Sequence, residues 1–134
     1  MRRPTFIVAE PEPEQALSSR KLLLEAFKFN VITAHSETEM FELLDLFPNA
    51  DALILHVDTP GQRAPDMFKE IKRKTPKMEV VALAPQAEYS GRIADHLVDS
   101  HKPEELLHLL QRLFGDARKV DSEGQQVAGQ TQQR

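Results

Sequence analysis

Glu10, His56 and Asp58 are the residues whose types and placing could do chemistry together. Glu10 follows the short apolar run Thr5–Ala9, and His56 and Asp58 follow the run Ala52–Leu55. Carboxylate and imidazole are competent metal ligands, and a carboxylate can serve as a nucleophile. Asp58 lies two positions past His56, so the two point the same way if the strand persists. His56 could take a phosphoryl group on nitrogen. Asp58 could instead be a turn residue ahead of Thr59-Pro60-Gly61. Mixed His and acid groups at strand ends are common without a metal, so no metal is assigned, and Glu10, His56 and Asp58 stand as the candidates.

The elements that must position these residues alternate along the chain. Thr5–Ala9 and Asn30–Ala34 read as short β-prone strands, and Ala52–Leu55 as a third, fully apolar strand of the kind covered on both faces. Val80–Leu83 reads as the fourth and His96–Val98 as the fifth. Between them, Pro13 suits a first helical turn, and Ala16, Arg20, Leu23 and Phe27 mark one helical face. Glu12 and Glu14 suit the dipole of that first turn. Ser36 and Glu39 make a capping box, followed by the stripe Met40, Leu43, Leu44 and Phe47. Met67, Phe68 and Ile71 define a third helix. The last helix runs from Pro103 to Phe114, with Gly115 as its stop.

This alternation predicts a doubly wound α/β fold: a parallel sheet with helices on both faces, connected right-handedly. In such sheets the crevice lies beyond the carboxyl ends of the strands. The residues there are Glu10, Pro11, His35, His56 to Asp58, Ala84, and Asp99 or its neighbours. The stretch from Ala84 to the fifth strand is interrupted by Pro85, Ser90 and Gly91, so the fourth helix is expected to be shortened or replaced by a loop.

Composition narrows the function classes. The chain has 134 residues, a net charge of -4 and no Cys, which excludes disulfides, thiolate catalysis and Cys-ligated zinc. The negative balance argues against nucleic acid as the main partner, and the cluster Lys72, Arg73, Lys74 and Lys77 reads as a solvated helix end. No run approaches the roughly 18 apolar residues that span a bilayer, and the expectation is a cytoplasmic protein without membrane contact. Residues 1–115 are expected to form one domain, and the Gln-rich residues 116–134 a disordered tail.

Three segments in this order carry a resemblance. Phe6-Ile7-Val8-Ala9-Glu10-Pro11-Glu12-Pro13, Asp51 through Gly61, and Pro103-Glu104-Glu105-Leu106-Leu107 resemble the receiver domain of two-component response regulators over roughly residues 5–115. The resemblance implies a flavodoxin-like (βα)5 sheet of order 2-1-3-4-5. It also implies an acidic pair holding a divalent metal, an Asp phosphoacceptor, a Thr or Ser, and a Lys. Metal and lysine would offset charge on the transferring phosphoryl group. Carried across, Glu10 matches the first acid and Pro11 replaces the second. His56 falls at the acceptor, Ala84 at the Thr/Ser position, and His96 near the aromatic switch position. The lysine position falls on Asp99 if the last helix sets the register, or on Lys102 if Lys102-Pro103 does.

These substitutions lead to an expected degenerate pocket: Glu10, Pro11, His56, Asp58, Ala84, Asp99 and Lys102. The expected function is a stand-alone, non-enzymatic pseudo-receiver acting in signalling through a protein partner or a second copy, without cofactor and without assigned magnesium. Leu107, Leu110 and Phe114 form a second apolar stripe on the last helix, either a protein-binding face or core. Two alternatives remain. One is an active phosphorelay receiver with its acceptor displaced to Asp58 or His56. The other is a small metal- or ligand-binding flavodoxin-like protein, although no glycine-rich phosphate loop follows the first strand.

Overall fold

Strands apolar on both faces and an apolar stripe on the helices force a three-layer arrangement, and a computed structural model realises it. It describes residues 3–12, 18–85 and 92–116. Strands β1 (Thr5–Ala9), β2 (Asn30–Ala34), β3 (Ala52–His56), β4 (Glu79–Ala84) and β5 (His96–Asp99) form one sheet. Its order is β2-β1-β3-β4-β5 and every pair is parallel. The helices are α1 (Ser19–Ala26), α2 (Glu37–Leu46), α3 (Ala64–Lys74) and α4 (Pro103–Phe114). The flavodoxin-like order expected from the sequence is the one observed.

Alternate strand residues feed two cores. Phe6, Val8, Ala52, Ile54, Val81, Leu83 and Val98 pack with Leu24 of α1 and Leu106, Leu107, Leu109 and Leu110 of α4. Ile7, Ala9, Leu53, Leu55 and Val80 face the other way, against Met40 and Leu44 of α2 and Met67, Phe68 and Ile71 of α3. This parity decides which strand-end residues can meet.

Two expectations change, one left open is decided, and one falls largely outside the described residues. First, α1 begins at Ser19, not near Pro13, because Ser18 is extended and its side chain accepts from the Lys21 N–H as an N-cap. Glu12 is therefore not in a helical first turn, and Pro13, Glu14 and Ala16 lie outside the described residues. Second, Phe47 is the C-cap of α2 and is exposed, not part of its buried stripe. Third, Leu107 and Leu110 are buried, and Phe114 packs on Phe6 with ring centroids 5.4 Å apart. This second stripe is core and not an exposed binding face, because Leu107 and Leu110 join Leu106 and Leu109 in one cluster with Phe6, Ile54, Leu83 and Val98 of the sheet. Fourth, Pro85 and Arg92–Asp95, in the β4–β5 connection, are not helical. Residues 86–91, where a shortened helix was expected, lie outside the described residues, as does the expected tail beyond Asp116.

Among the described residues no helix is long and apolar enough to cross a membrane.

Candidate functional site

Strand order reverses between β1 and β3, so the crevice beyond their carboxyl ends lies between Glu10 and His56. Among the described residues the buried polar ones are Glu10, Ser18 and Thr59, and all three stand at this end of the sheet. A carboxylate buried there must be paired and hydrogen-bonded. Glu10 is both. Ser18 Oγ donates to its Oε2, and Arg20 Nη1 reaches its Oε1. The same Ser18 oxygen accepts from the Lys21 N–H at 3.1 Å, so one side chain caps α1 and fixes the Glu10 carboxylate. His35 Nδ1–H donates to the Glu10 carbonyl at 3.2 Å.

Arg20 enters the crevice because α1 starts at Ser19, which places it on the helix's first turn beside its own cap. Its second nitrogen, Nη2, lies 3.5 Å from the Ser100 carbonyl oxygen, just after β5. Its side chain is 18% exposed, against 8% for Glu10, so the ion pair is largely withdrawn from water.

His56 shares the parity of Ala52 and Ile54 and so lies on the α1/α4 side of the sheet with Glu10. Burial lowers its pKa from the ordinary 6.5, and the Arg20 and His101 charges lower it further, while Asp58 and Glu10 pull the other way. The Asp58 backbone N–H donates to Nδ1 at 3.1 Å. That makes Nδ1 an acceptor and puts the ring proton on Nε2. The residue is therefore a neutral imidazole held in one tautomer. Asp58 Oδ2 is 4.0 Å from Nδ1, and the Asp58 side chain is 67% exposed. The loop carrying Asp58 is pinned by Thr59, whose Oγ1 donates to the His56 carbonyl at 2.7 Å.

The remaining expected members separate. Pro11 follows Glu10 with no side-chain donor atom to offer. Ala84 pairs with Asp99 across β4 and β5 and shares the parity of Ala82, which packs against Ala64 of α3 and Ile93. Asp99 ends β5, and its Oδ1 accepts from the His101 N–H at 2.9 Å, so it shapes the turn into α4. Lys102 is the N-cap residue of α4 and is 59% exposed, with its Nζ 3.6 Å from Glu105. It does not enter the crevice. His96 pairs at 2.7 Å with Glu79 on neighbouring β4. The basic cluster is largely compensated: Lys72 pairs with Asp95 at 2.8 Å and Lys74 with Asp45 at 3.5 Å.

The arrangement thus joins Glu10, His56 and Asp58 to two residues not named as site members from the sequence, Ser18 and Arg20. A signal for Arg20 was present. It interrupts the helical face shared with Leu23 and Phe27, and a cation on an apolar face calls for a buried anion. Chemically, the crevice holds a compensated ion pair and a neutral imidazole. It offers no carboxylate at the strand end of β3 and no hydroxyl at Ala84. Among the described residues no group of three or more His, Cys, Asp or Glu could hold a metal ion.

The backbone is similar to several solved structures. One is a response regulator receiver domain protein from Clostridium thermocellum, at 22% identity over 83% of this chain and 99% of that one, TM-score 0.60. Another is the response regulator TrrA of Thermotoga maritima in complex with Mg2+ and BeF, at 25% identity over 83% and 99%, TM-score 0.64. A third is the chemotaxis response regulator CheY4 of Vibrio cholerae, at 16% identity over 84% and 100%, TM-score 0.71. No family model and no curated protein matches the chain. The fold is that of response-regulator receiver domains.

Proposed function

We propose that this receiver-fold chain is a cytoplasmic, non-enzymatic signalling module that works by contact with a protein partner or a second copy, independently of aspartyl phosphorylation. One observation carries the reading: at the crevice the β3 strand ends in a neutral His56, while the carboxylate of Glu10 is already taken by Ser18 and Arg20. A neutral imidazole cannot form an acyl phosphate, and a carboxylate committed to a guanidinium is a poor ligand for a metal that would offset phosphoryl charge. The state of such a module is set by differential binding to its partner. The paired basic residues and the net charge of -4 favour protein over nucleic acid as that partner.

The test is incubation with acetyl phosphate and Mg2+ followed by intact-mass measurement. The mass is expected not to change. A magnesium-dependent gain of one phosphoryl group would overturn the reading. If Asp58→Asn then abolished that gain, the acceptor would be the displaced Asp58, whose exposed carboxylate is open to a donor.

A further inference from the structure

A divalent cation needs several oxygens free of other charged partners. Here both Glu10 carboxylate oxygens are engaged, the next residue is Pro11, and the Asp58 carboxylate points largely to solvent. Among the described residues the donor set does not fit the magnesium that the TrrA structure contains.

The positive charge at this place comes from the chain itself. We propose that the Arg20 guanidinium is the permanent cation of the crevice, standing in for a divalent ion and tying the end of β1 to the loop after β5. The proposal rests on the receiver-type reading above and gives it a physical device. A guanidinium is a planar fork of donors that can serve two acceptors at once. Nη1 takes the Glu10 carboxylate and Nη2 approaches the Ser100 carbonyl. Ser100 in turn donates its N–H to the Ala84 carbonyl at 2.7 Å. A path of polar contacts therefore runs from β1 through Arg20 to β5 and β4. It is covalently anchored in α1 and needs no ligand to form. Because the charge is built in, the Glu10 carboxylate is compensated without an added cation, and the link between the two sides of the crevice forms without a ligand. A lysine would keep the charge but could not reach both acceptors with one compact ammonium.

The experiment uses the full chain, isotope-labelled, with Mn2+ as a paramagnetic probe and amide hydrogen exchange as a second readout. In the wild type, Mn2+ is expected to leave the Glu10, His56 and Asp58 amides sharp. Arg20→Met is expected to let Mn2+ broaden those signals and to speed Ser100 amide exchange about tenfold, the effect of losing one charge-assisted hydrogen bond. Arg20→Lys is expected to speed that exchange while still excluding Mn2+. Glu10→Gln, which frees the guanidinium from its other end, should also speed it, and these two milder variants carry the test if Arg20→Met does not fold. Broadening in the wild type, an Arg20→Met protein that folds yet excludes Mn2+, or unchanged Ser100 exchange in Arg20→Lys and Glu10→Gln would each overturn the proposal. Phosphoryl uptake by the wild type overturns the functional reading instead, so the two failures are read separately.

Discussion

Gly61, in the loop after β3, lies directly against Glu37 at the start of α2, so closely that a Cβ on Gly61 would overlap the Glu37 Cβ. The Glu37 N–H donates to the Pro60 carbonyl at 2.7 Å, and Glu37 Oε1 accepts from the Gln62 N–H at 3.1 Å. The loop that carries Asp58 and Thr59 past the crevice is thus fastened to a neighbouring helix and not left free.

That fastening requires a glycine. Gly61 has φ +147°, a conformation side chains rarely adopt. Gly61→Ala is expected to destabilise the fold by about 2 kcal/mol. Chemical denaturation followed by circular dichroism measures this, since the chain has no Trp. A loss much smaller than that would mean the loop is not clamped.

His56 makes stability depend on pH. Its folded pKa is lowered, chiefly by burial and then by Arg20. As pH falls through 6.5 the unfolded chain takes a proton that the folded chain refuses, so stability declines toward the folded pKa. His56→Gln is expected to flatten part of the stability loss between about pH 7.5 and about pH 5.5. An unchanged slope would show that His56 is not held neutral.

Asp95 has the opposite protonation logic. Burial opposes its charged form, but the hydrogen bond from Lys72, the Val80 N–H and the Lys72 and Arg92 charges outweigh this and leave its pKa below the ordinary 3.8. Its contribution is complete above the unfolded value and is lost as pH falls through the lower folded value. Asp95→Asn should cost about 1 kcal/mol near neutrality. The gap to wild type should narrow below about pH 3.8.

Leu110 separates core from interface on α4. It is fully buried against the sheet. Leu110→Ala is expected to destabilise by about 3 kcal/mol, as large-to-small core changes do. Its elution volume in size-exclusion chromatography should match that of the wild type. A shift in elution volume with little loss of stability would return the residue to an interface.

Sequence alone determined the sheet and its helices, because the signals are local. Short apolar, β-prone runs gave all five strands, and apolar spacing gave the second, third and last helices. The order of the strands came from the family resemblance. The same sequence showed that His56 and Ala84 lack a carboxylate and a hydroxyl, since chemical type needs no coordinates. Three features were decided only in the folded molecule. Arg20 reads as one member of a helical face until α1 starts at Ser19 and turns it toward Glu10. Leu107 and Leu110 read equally as core or as surface until the sheet is seen to bury them with Leu106 and Leu109. The places of Asp99 and Lys102 are set only once β5 ends at Asp99 and α4 opens behind Lys102. In each case a residue's type is a property of the chain. Its partner lies elsewhere in sequence, 10 residues away for Glu10 and Arg20 and 80 for Arg20 and Ser100, and only packing brings such groups within reach.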